Sequence, residues 1–329
     1  MTVAEVTTST ASLSLKGLKV QPLKRNHSLD ALFPSFKVQP HIGTEFKDGL
    51  KIQTRIQIRA ILNAPNADEL IRDFAVLVSE RNVVFLRNQD ITFEEQKEFV
   101  DRLGKAAGKP ATSGLHTHPL TDDSSEFGEK SLVITSQNRD RTNRIYRGQS
   151  EFQSETWHTD ITFENVPSDY ALLRLRHVPP EGGDTIWASA YEVYERLSPA
   201  FQKFLEGLTA THAFSGTNPV TGWKGVFANK IFTKRINELS KDESDLNHDL
   251  QVRYRWNQHD VAVWDNRSTF HTATTDFDAD KYLRLGERAT SLGERPYFDA
   301  GSQSRREALG IAPPPARRAH LASLTSKTA

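Results

Sequence analysis

The most constraining feature of this sequence is the short run TWHTDITF at residues 156–163, which places an imidazole and a carboxylate two positions apart. Its β-branched and aromatic residues favour extended chain. Side chains at i and i+2 of a strand point to the same face, so His158 and Asp160 can reach one metal ion. A third ligand must come from far along the chain, and His271, in VWDNRSTFH at 263–271, is the candidate. The fold therefore has to bring two distant segments together.

Two His and one Asp on one face of a metal ion, with the opposite face open, are the ligands expected of non-haem Fe(II) oxygenases. A His-x-Asp pair is also common by chance, and by itself it is typical of a surface strand with two polar residues. The chain has 11 His, so the pair alone decides little. Its meaning depends on the rest of the sequence.

Composition excludes several classes of function. The 329 residues suit one large domain or two small ones, and 42 basic residues balance 42 acidic ones, so no net charge attracts nucleic acid or anionic membrane. Cysteine is absent, which excludes disulfides, zinc–thiolate sites, cysteine-ligated iron–sulfur clusters and thiol nucleophiles. No apolar run approaches the roughly 18 residues of a membrane span, and the N-terminus lacks a secretory signal. We expect a cytoplasmic protein without nucleic-acid or membrane partners.

Hydrophobic periodicity and turn residues predict many short strands. Helices are expected at 68–81, from a capping box at Thr92 to Leu103 with Gly104 as its stop, at 189–197 and at 198–208. Strands are expected at 83–86, 131–135, 169–178, 184–188, 209–214, 225–228, 251–256, 261–264 and 288–292. This pattern predicts a mainly β fold, a double-stranded β-helix (jelly roll) with flanking helices. We expect a flexible arm over 1–35, one domain over 36–300 and a polar tail over 301–329.

Four ordered blocks carry a family resemblance: WHTD with TF at 157–163, GGDTIWAS at 182–189, WDNR with the following His at 264–271, and RAT at 288–290. Together they resemble the taurine/2,4-D dioxygenase (TauD/TfdA) family of Fe(II)- and 2-oxoglutarate-dependent oxygenases. The ending LGERPYF at 292–298 is most similar to fungal sulfonate dioxygenases. The resemblance covers about residues 40–300.

The resemblance implies a role for particular residues. His158, Asp160 and His271 match the iron ligands, which leave three coordination sites for 2-oxoglutarate and O2. Thr185 and Arg284 match the residues that bind the distal carboxylate of 2-oxoglutarate, for which the planar fork of an arginine is suited.

The resemblance also implies a substrate class. Arg288 and His118 match the two residues that hold the sulfonate in the taurine enzyme, and His116 is interpreted as structural. A small anionic substrate is therefore expected, such as taurine or an alkanesulfonate. Hydroxylation beside the sulfonate would release sulfite and an aldehyde, with succinate and CO2. Relatives are often dimers or tetramers, so the family also allows a homo-oligomer.

Alternatives remain open at this point. Thr121 and Ser154 stand where the taurine enzyme has a Tyr and an Asn, and the lid segment after residue 212 is short for the family. The same chemistry on an amino acid, a carboxylate or a larger metabolite, as a tailoring oxygenase, is the first alternative. A non-catalytic jelly-roll protein and a zinc hydrolase are the others, although no Glu lies next to either His as a general base.

Overall fold

The computed structural model describes residues 21–46, 56–117, 132–136, 157–206, 215–227 and 250–311. The helices in these ranges are α1 (Ile58–Leu62), α2 (Ala67–Arg81), α3 (Phe93–Ala106), α4 (Ala190–Arg196), α5 (Pro199–Glu206) and α6 (Arg305–Leu309). The strands are β1 (Ser35–Lys37), β2 (Thr44–Phe46), β3 (Val83–Leu86), β4 (Leu132–Thr135), β5 (Ser168–His177), β6 (Thr185–Ser189), β7 (Ser215–Thr217), β8 (Lys224–Val226), β9 (Gln251–Tyr254), β10 (Val261–Asp265), β11 (Thr269–Ala273) and β12 (Leu285–Leu292).

A seven-stranded sheet forms the centre of the molecule. Its strand order is β1-β2-β3-β10-β5-β12-β4, and every neighbouring pair is antiparallel except β2 with β3. The middle strands β3 and β10 are buried at every position, because both faces of the sheet are covered. Long apolar runs were therefore reliable signals of these strands.

A smaller antiparallel sheet, β11-β6-β9, packs on one face of the large sheet. Trp187 of β6 lies between the sheets, with its ring centroid 5.4 Å from Phe85 and 6.0 Å from Trp264. Tyr254 stacks on Phe85 at 4.0 Å. Since Trp187 is fully buried, its truncation to Ala would cost about 3–5 kcal/mol. This aromatic core holds the two sheets face to face.

Helices α2 and α3 cover the other face of the large sheet, where Phe74 and Phe99 meet edge to face at 5.2 Å. The capping box that starts α3 is confirmed, since Thr92 and Glu95 exchange side-chain to backbone hydrogen bonds. The predicted stop at Gly104 is wrong, because α3 continues to Ala106. A Cβ at this position would lie 2.5 Å from Asp169 Oδ2, so the glycine allows close packing of α3 on β5.

The structure also corrects the expectation that residues 156–163 form a strand. Among the described residues of this run, a single bridge forms at His158 and the chain turns from Asp160 onward. Ile161 takes a φ of 61°, which a strand does not allow. Tertiary contacts of the turn thus override the local preference of its β-branched residues.

Both ends of the chain differ from the predicted arm and tail where they are described. Leu29 is completely buried in the helix-side core, and Arg25 pairs with Asp73 of α2 at 2.7 Å. Helix α6 lies within the predicted polar tail. The strand expected at 209–214 lies outside the described residues. None of the helices in the described ranges is long and apolar enough to cross a bilayer.

Candidate active site

The two histidines of the predicted metal site face each other across an antiparallel bridge. The His158 backbone N–H donates to His271 O at 3.1 Å, and the His271 N–H donates to His158 O at 2.8 Å. Directly opposed residues project their side chains to the same side. Accordingly, the two imidazole centroids are 4.3 Å apart. Strand β11 therefore supplies one ligand and positions the segment that supplies the others.

Asp160 completes a three-residue cluster. Its Oδ1 lies 3.9 Å from His158 Nε2 and 3.8 Å from His271 Nε2, and one ligand atom from each residue falls within 4.8 Å of the others. Ligand atoms of one metal, bound at about 2.1 Å and roughly at right angles, are about 3 Å apart. The two carboxylate-to-imidazole distances exceed this spacing by about 1 Å, and no pair of ligand atoms exceeds it by more than about 2 Å, so a small adjustment would let the three donors bind one divalent metal. The three residues chosen from the sequence are thus together.

Burial keeps the imidazole of His271 neutral. Loss of solvent, reinforced by His158 and opposed by Asp160, lowers the pKa of His271 to about 3. A neutral imidazole is the form that binds a metal. The site therefore offers a neutral nitrogen ligand throughout the physiological pH range.

Arg284 and Thr185 form a second, connected part of the site. Both are buried, and the guanidinium donates from Nε to Gly183 O at 2.7 Å and from Nη2 to Thr185 Oγ1 at 3.2 Å. Trp256 Nε1 donates to the same hydroxyl at 3.0 Å. These contacts fix the plane of the guanidinium and leave further N–H groups for a ligand.

No carboxylate of the described residues lies within ion-pair distance of the Arg284 guanidinium. Burial, opposed by Asp184, lowers the pKa of Arg284 to about 10. A buried cation without a counter-ion is costly, and an anionic ligand removes that cost. The pair of Arg284 and Thr185 therefore fits a carboxylate such as the distal one of 2-oxoglutarate.

A glycine turn presents the carbonyl that orients Arg284. Gly183 has a φ of 66°, and a Cβ there would approach Pro179 Cγ to 2.8 Å and Arg284 Cδ to 3.2 Å. Asp276 fixes the turn by accepting a hydrogen bond from the Gly183 N–H at 3.0 Å. Glycine is thus required both by the backbone conformation and by the close approach of the arginine.

The predicted substrate residues are only partly together in the described structure. Arg288 lies on β12, which begins directly after Arg284; it is buried and donates through Nη1 to Asp160 Oδ1. Its Nε is buried and has no hydrogen-bond partner among the described groups. His118 lies outside the described residues. The arginine predicted to bind the substrate's anion thus also contacts the carboxylate of the His158, Asp160 and His271 cluster.

Sequence reasoning assigned His116 a structural role, yet the structure places it in the electrostatic surroundings of the cluster. Burial lowers its pKa, an effect opposed by Glu164 and reinforced by Arg288. His116 Nε2 is 3.8 Å from Glu164 Oε1, and its ring lies edge-on to Phe163 at 6.5 Å. Phe163 and Glu164 come shortly after Asp160 in the sequence, and this closeness was the signal that could have identified them as neighbours of the candidate site.

The comparisons with known proteins agree with this geometry. The family model "Taurine catabolism dioxygenase TauD, TfdA family" matches residues 36–221 and 216–290. The chain belongs to the TauD/TfdA family. This TauD-family chain is 41% identical to the alpha-ketoglutarate-dependent dioxygenase btcD of Neocamarosporium betae, over 88% of this chain and 98% of that protein.

A second relative is the alpha-ketoglutarate-dependent sulfonate dioxygenase of Saccharomyces cerevisiae. It is 29% identical to this chain, over 80% of this chain and 68% of that protein. The crystal structure of a taurine dioxygenase from Burkholderia xenovorans has a TM-score of 0.63, at 24% identity, over 82% of this chain and 94% of that one. This last similarity shows a shared fold of β sheets with helices. The chain is an alpha-ketoglutarate-dependent dioxygenase, a class that uses Fe(II), 2-oxoglutarate and O2.

Proposed function

We propose that His158, Asp160 and His271 hold the Fe(II) of this dioxygenase. The observation that carries the proposal is their clustering: the two imidazoles stand on opposed backbone positions, the carboxylate lies within 4 Å of both, and Asp160 and His271 are buried. Two His and one carboxylate leave the opposite face of the metal open for small ligands.

Thr185 and Arg284 are proposed to bind the distal carboxylate of 2-oxoglutarate. The guanidinium is fixed by Gly183 and Thr185, so it loses little conformational freedom when it pairs with the ligand. When bound, the metal and the cosubstrate supply the oxidising chemistry, in which O2 and 2-oxoglutarate give succinate, CO2 and a hydroxylated substrate carbon. The contribution of the chain is to orient both ligands and to hold the substrate beside them.

The proposed substrate is a small molecule with an anionic end, held by Arg288 together with His118, and a sulfonate is the preferred anion. Support comes from the guanidinium of Arg288, which is buried beside Asp160. Its Nε has no hydrogen-bond partner in the described part of the chain. Hydroxylation of the carbon beside a sulfonate would yield an adduct that releases sulfite and an aldehyde. An anionic substrate would also compete with Asp160 for Arg288.

A non-sulfonate substrate is the second candidate, and the comparisons supply its support. Two relatives named as sulfonate dioxygenases are 33% and 29% identical, whereas the 41% identical btcD has a name that specifies no sulfonate. The chemistry would be the same, and the product would be a hydroxylated carboxylate, amino acid or larger metabolite.

A matched substrate panel tests the proposal. Succinate and sulfite are measured with alkanesulfonates and with carboxylates of equal chain length, for the wild type, Arg288→Gln and the exposed-arginine control Arg255→Gln. Sulfite formed with succinate, and lost in Arg288→Gln alone, is expected. Carboxylate-dependent succinate without sulfite would replace the sulfonate by the second candidate, and succinate that no anion stimulates would contradict both.

Four wider expectations belong to the same proposal. We infer that the two packed sheets close as a double-stranded β-helix, because β6 and β9 of the small sheet pack against β5 and β10 of the large one. We also infer that residues 36–300 act as one domain, since the family model spans most of that range. A cytoplasmic location and a homo-oligomeric state remain predictions.

A further inference from the structure

We propose that Asn266 is a positioning residue that holds two of the metal ligands, Asp160 and His271, in place through one side-chain oxygen. The inference rests on the metal site proposed above. It concerns a residue that the sequence analysis names only within the WDNR block, and it assigns to that residue an effect on the geometry of the metal ligands.

The Asn266 side chain is completely buried, and both its oxygen and its nitrogen are hydrogen-bonded. Its Oδ1 accepts from the Asp160 backbone N–H at 3.0 Å and from Trp264 Nε1 at 2.9 Å, while its Nδ2 donates to Ser168 Oγ at 2.9 Å. Its own backbone N–H donates to Asp169 O at 2.7 Å. The amide is therefore anchored to β5 and cannot rotate without breaking several bonds.

The first effect of this amide is on Asp160. The next residue, Ile161, is buried and has a φ of 61°, a conformation that a β-branched side chain rarely adopts. Such a conformation persists where surrounding contacts impose it. The hydrogen bond from the Asp160 N–H to Asn266 fixes the peptide plane on one side of the ligand, and the Ile161 turn fixes the other. Together they set the direction in which the carboxylate leaves the backbone.

The second effect passes through Trp264 to His271. The indole ring lies 4.9 Å from the imidazole of His271, inclined by 56°. A ligating histidine usually donates its second ring nitrogen to an acceptor, which fixes the ring. His271 Nδ1, however, is buried without a hydrogen-bond partner among the described groups. Packing on Trp264 takes over the orienting role, and the bond from Trp264 Nε1 to Asn266 holds the indole.

Loss of the amide should therefore loosen a nitrogen ligand and an oxygen ligand at once. Changes to groups that orient metal ligands typically weaken metal affinity about 10- to 100-fold. We expect Asn266→Ala to fall in this range. Asn266→Asp keeps an acceptor for both donors, and the Ser168 hydroxyl can turn to donate to it, so affinity within about threefold of wild type is expected. Trp264→Phe keeps an aromatic ring beside His271 but removes the Nε1 donor. Its metal affinity should lie between those of the wild type and Asn266→Ala.

The test is titration of the metal-free protein with Co(II), following both affinity and the visible ligand-field spectrum, which reports coordination geometry. Gln89→Ala is the matched control, because Gln89 is a buried amide with three hydrogen bonds to Ile56, Ile58 and Arg87 and none to a ligand. Thermal midpoints are measured for all variants, and titrations are made well below the lowest one.

Weaker binding and an altered spectrum in Asn266→Ala, with near wild-type behaviour in Asn266→Asp and Gln89→Ala, would support the inference. Wild-type affinity and spectrum in both Asn266→Ala and Trp264→Phe would overturn it. An equal loss of affinity in Gln89→Ala would also overturn it, because the effect would then follow stability. If Asn266→Ala does not fold, Trp264→Phe decides. Absence of Co(II) binding by the wild type would instead refute the proposed metal site itself.

Discussion

Removing the guanidinium of Arg284 should weaken 2-oxoglutarate binding far more than it slows the reaction. The side chain is buried, it is oriented by bonds of 2.7 and 3.2 Å to Gly183 and Thr185, and no described carboxylate pairs with it. Truncating one partner of a buried, hydrogen-bonded charge pair costs about 2–5 kcal/mol. Taking about 2–3 kcal/mol, and a factor of ten for each 1.4 kcal/mol, the KM for 2-oxoglutarate should rise roughly 30- to 150-fold in Arg284→Gln.

The thermal stability of Arg284→Gln provides an independent check of this reasoning. Burial lowers the pKa of Arg284 to about 10, so at neutral pH the fold bears part of the cost of the buried charge. A base with a lowered pKa binds protons less readily in the folded than in the unfolded chain. The charge therefore destabilises the cosubstrate-free fold at pH 7. Arg284→Gln should melt no lower than wild type without 2-oxoglutarate, and 2-oxoglutarate should raise its thermal midpoint far less.

Succinate formation against 2-oxoglutarate concentration gives KM and kcat, and thermal unfolding with and without the cosubstrate gives the midpoints. Arg255→Gln removes an exposed arginine and should leave both unchanged. Arg284→Lys keeps the positive charge but loses the planar guanidinium that can bind a carboxylate through two N–H groups, so a rise of about tenfold in KM is expected. A KM change below threefold in Arg284→Gln would refute the assignment of the cosubstrate carboxylate to this residue.

Three further substitutions test the surroundings of the site. Thr185→Val removes an acceptor of the Arg284 guanidinium, so the KM for 2-oxoglutarate should rise about 3- to 10-fold and the free energy of unfolding should fall by about 1–2 kcal/mol. An unchanged KM would show that the hydroxyl is dispensable. Gly183→Ala forces a side chain into a φ of 66° and should raise the same KM while lowering the thermal midpoint, and a wild-type KM would argue against this turn orienting the arginine. Ala is a better helix former than Gly, but the Cβ of Gly104→Ala would lie 2.5 Å from Asp169 Oδ2. The free energy of unfolding in urea should therefore fall by about 1–3 kcal/mol, and a more stable variant would contradict the packing argument.

The cluster of His158, Asp160 and His271 could be predicted from the sequence because chemistry restricts the composition of a metal site so strongly. Few arrangements of His and Asp suit a divalent iron site, and His158, Asp160 and His271 were identified from spacing and from ordered family blocks. The structure places them together by one backbone bridge. Helices and central strands with clear periodicity, such as α2 and β3, were predictable for a similar reason, since each follows from local pattern and burial.

Features set by tertiary contacts could not be predicted. The turn at Asp160 depends on Asn266 from a distant part of the chain and reverses the strand preference of the surrounding residues. Gly104 looked like a helix stop because its packing partner, Asp169, lies on another element. The contact of Arg288 with Asp160 likewise joins β12 to the ligand turn, and no local signal indicates it.

The most direct test of the account is the visible spectrum of the anaerobic Fe(II) protein as 2-oxoglutarate is added. His271→Ala removes a proposed ligand, and His177→Ala removes an exposed histidine at the end of β5 as the control. The account predicts a charge-transfer band in the wild type and in His177→Ala, and none in His271→Ala. A band that survives in His271→Ala, or that is absent from the wild type, would contradict the assignment of His158, Asp160 and His271 as the iron site.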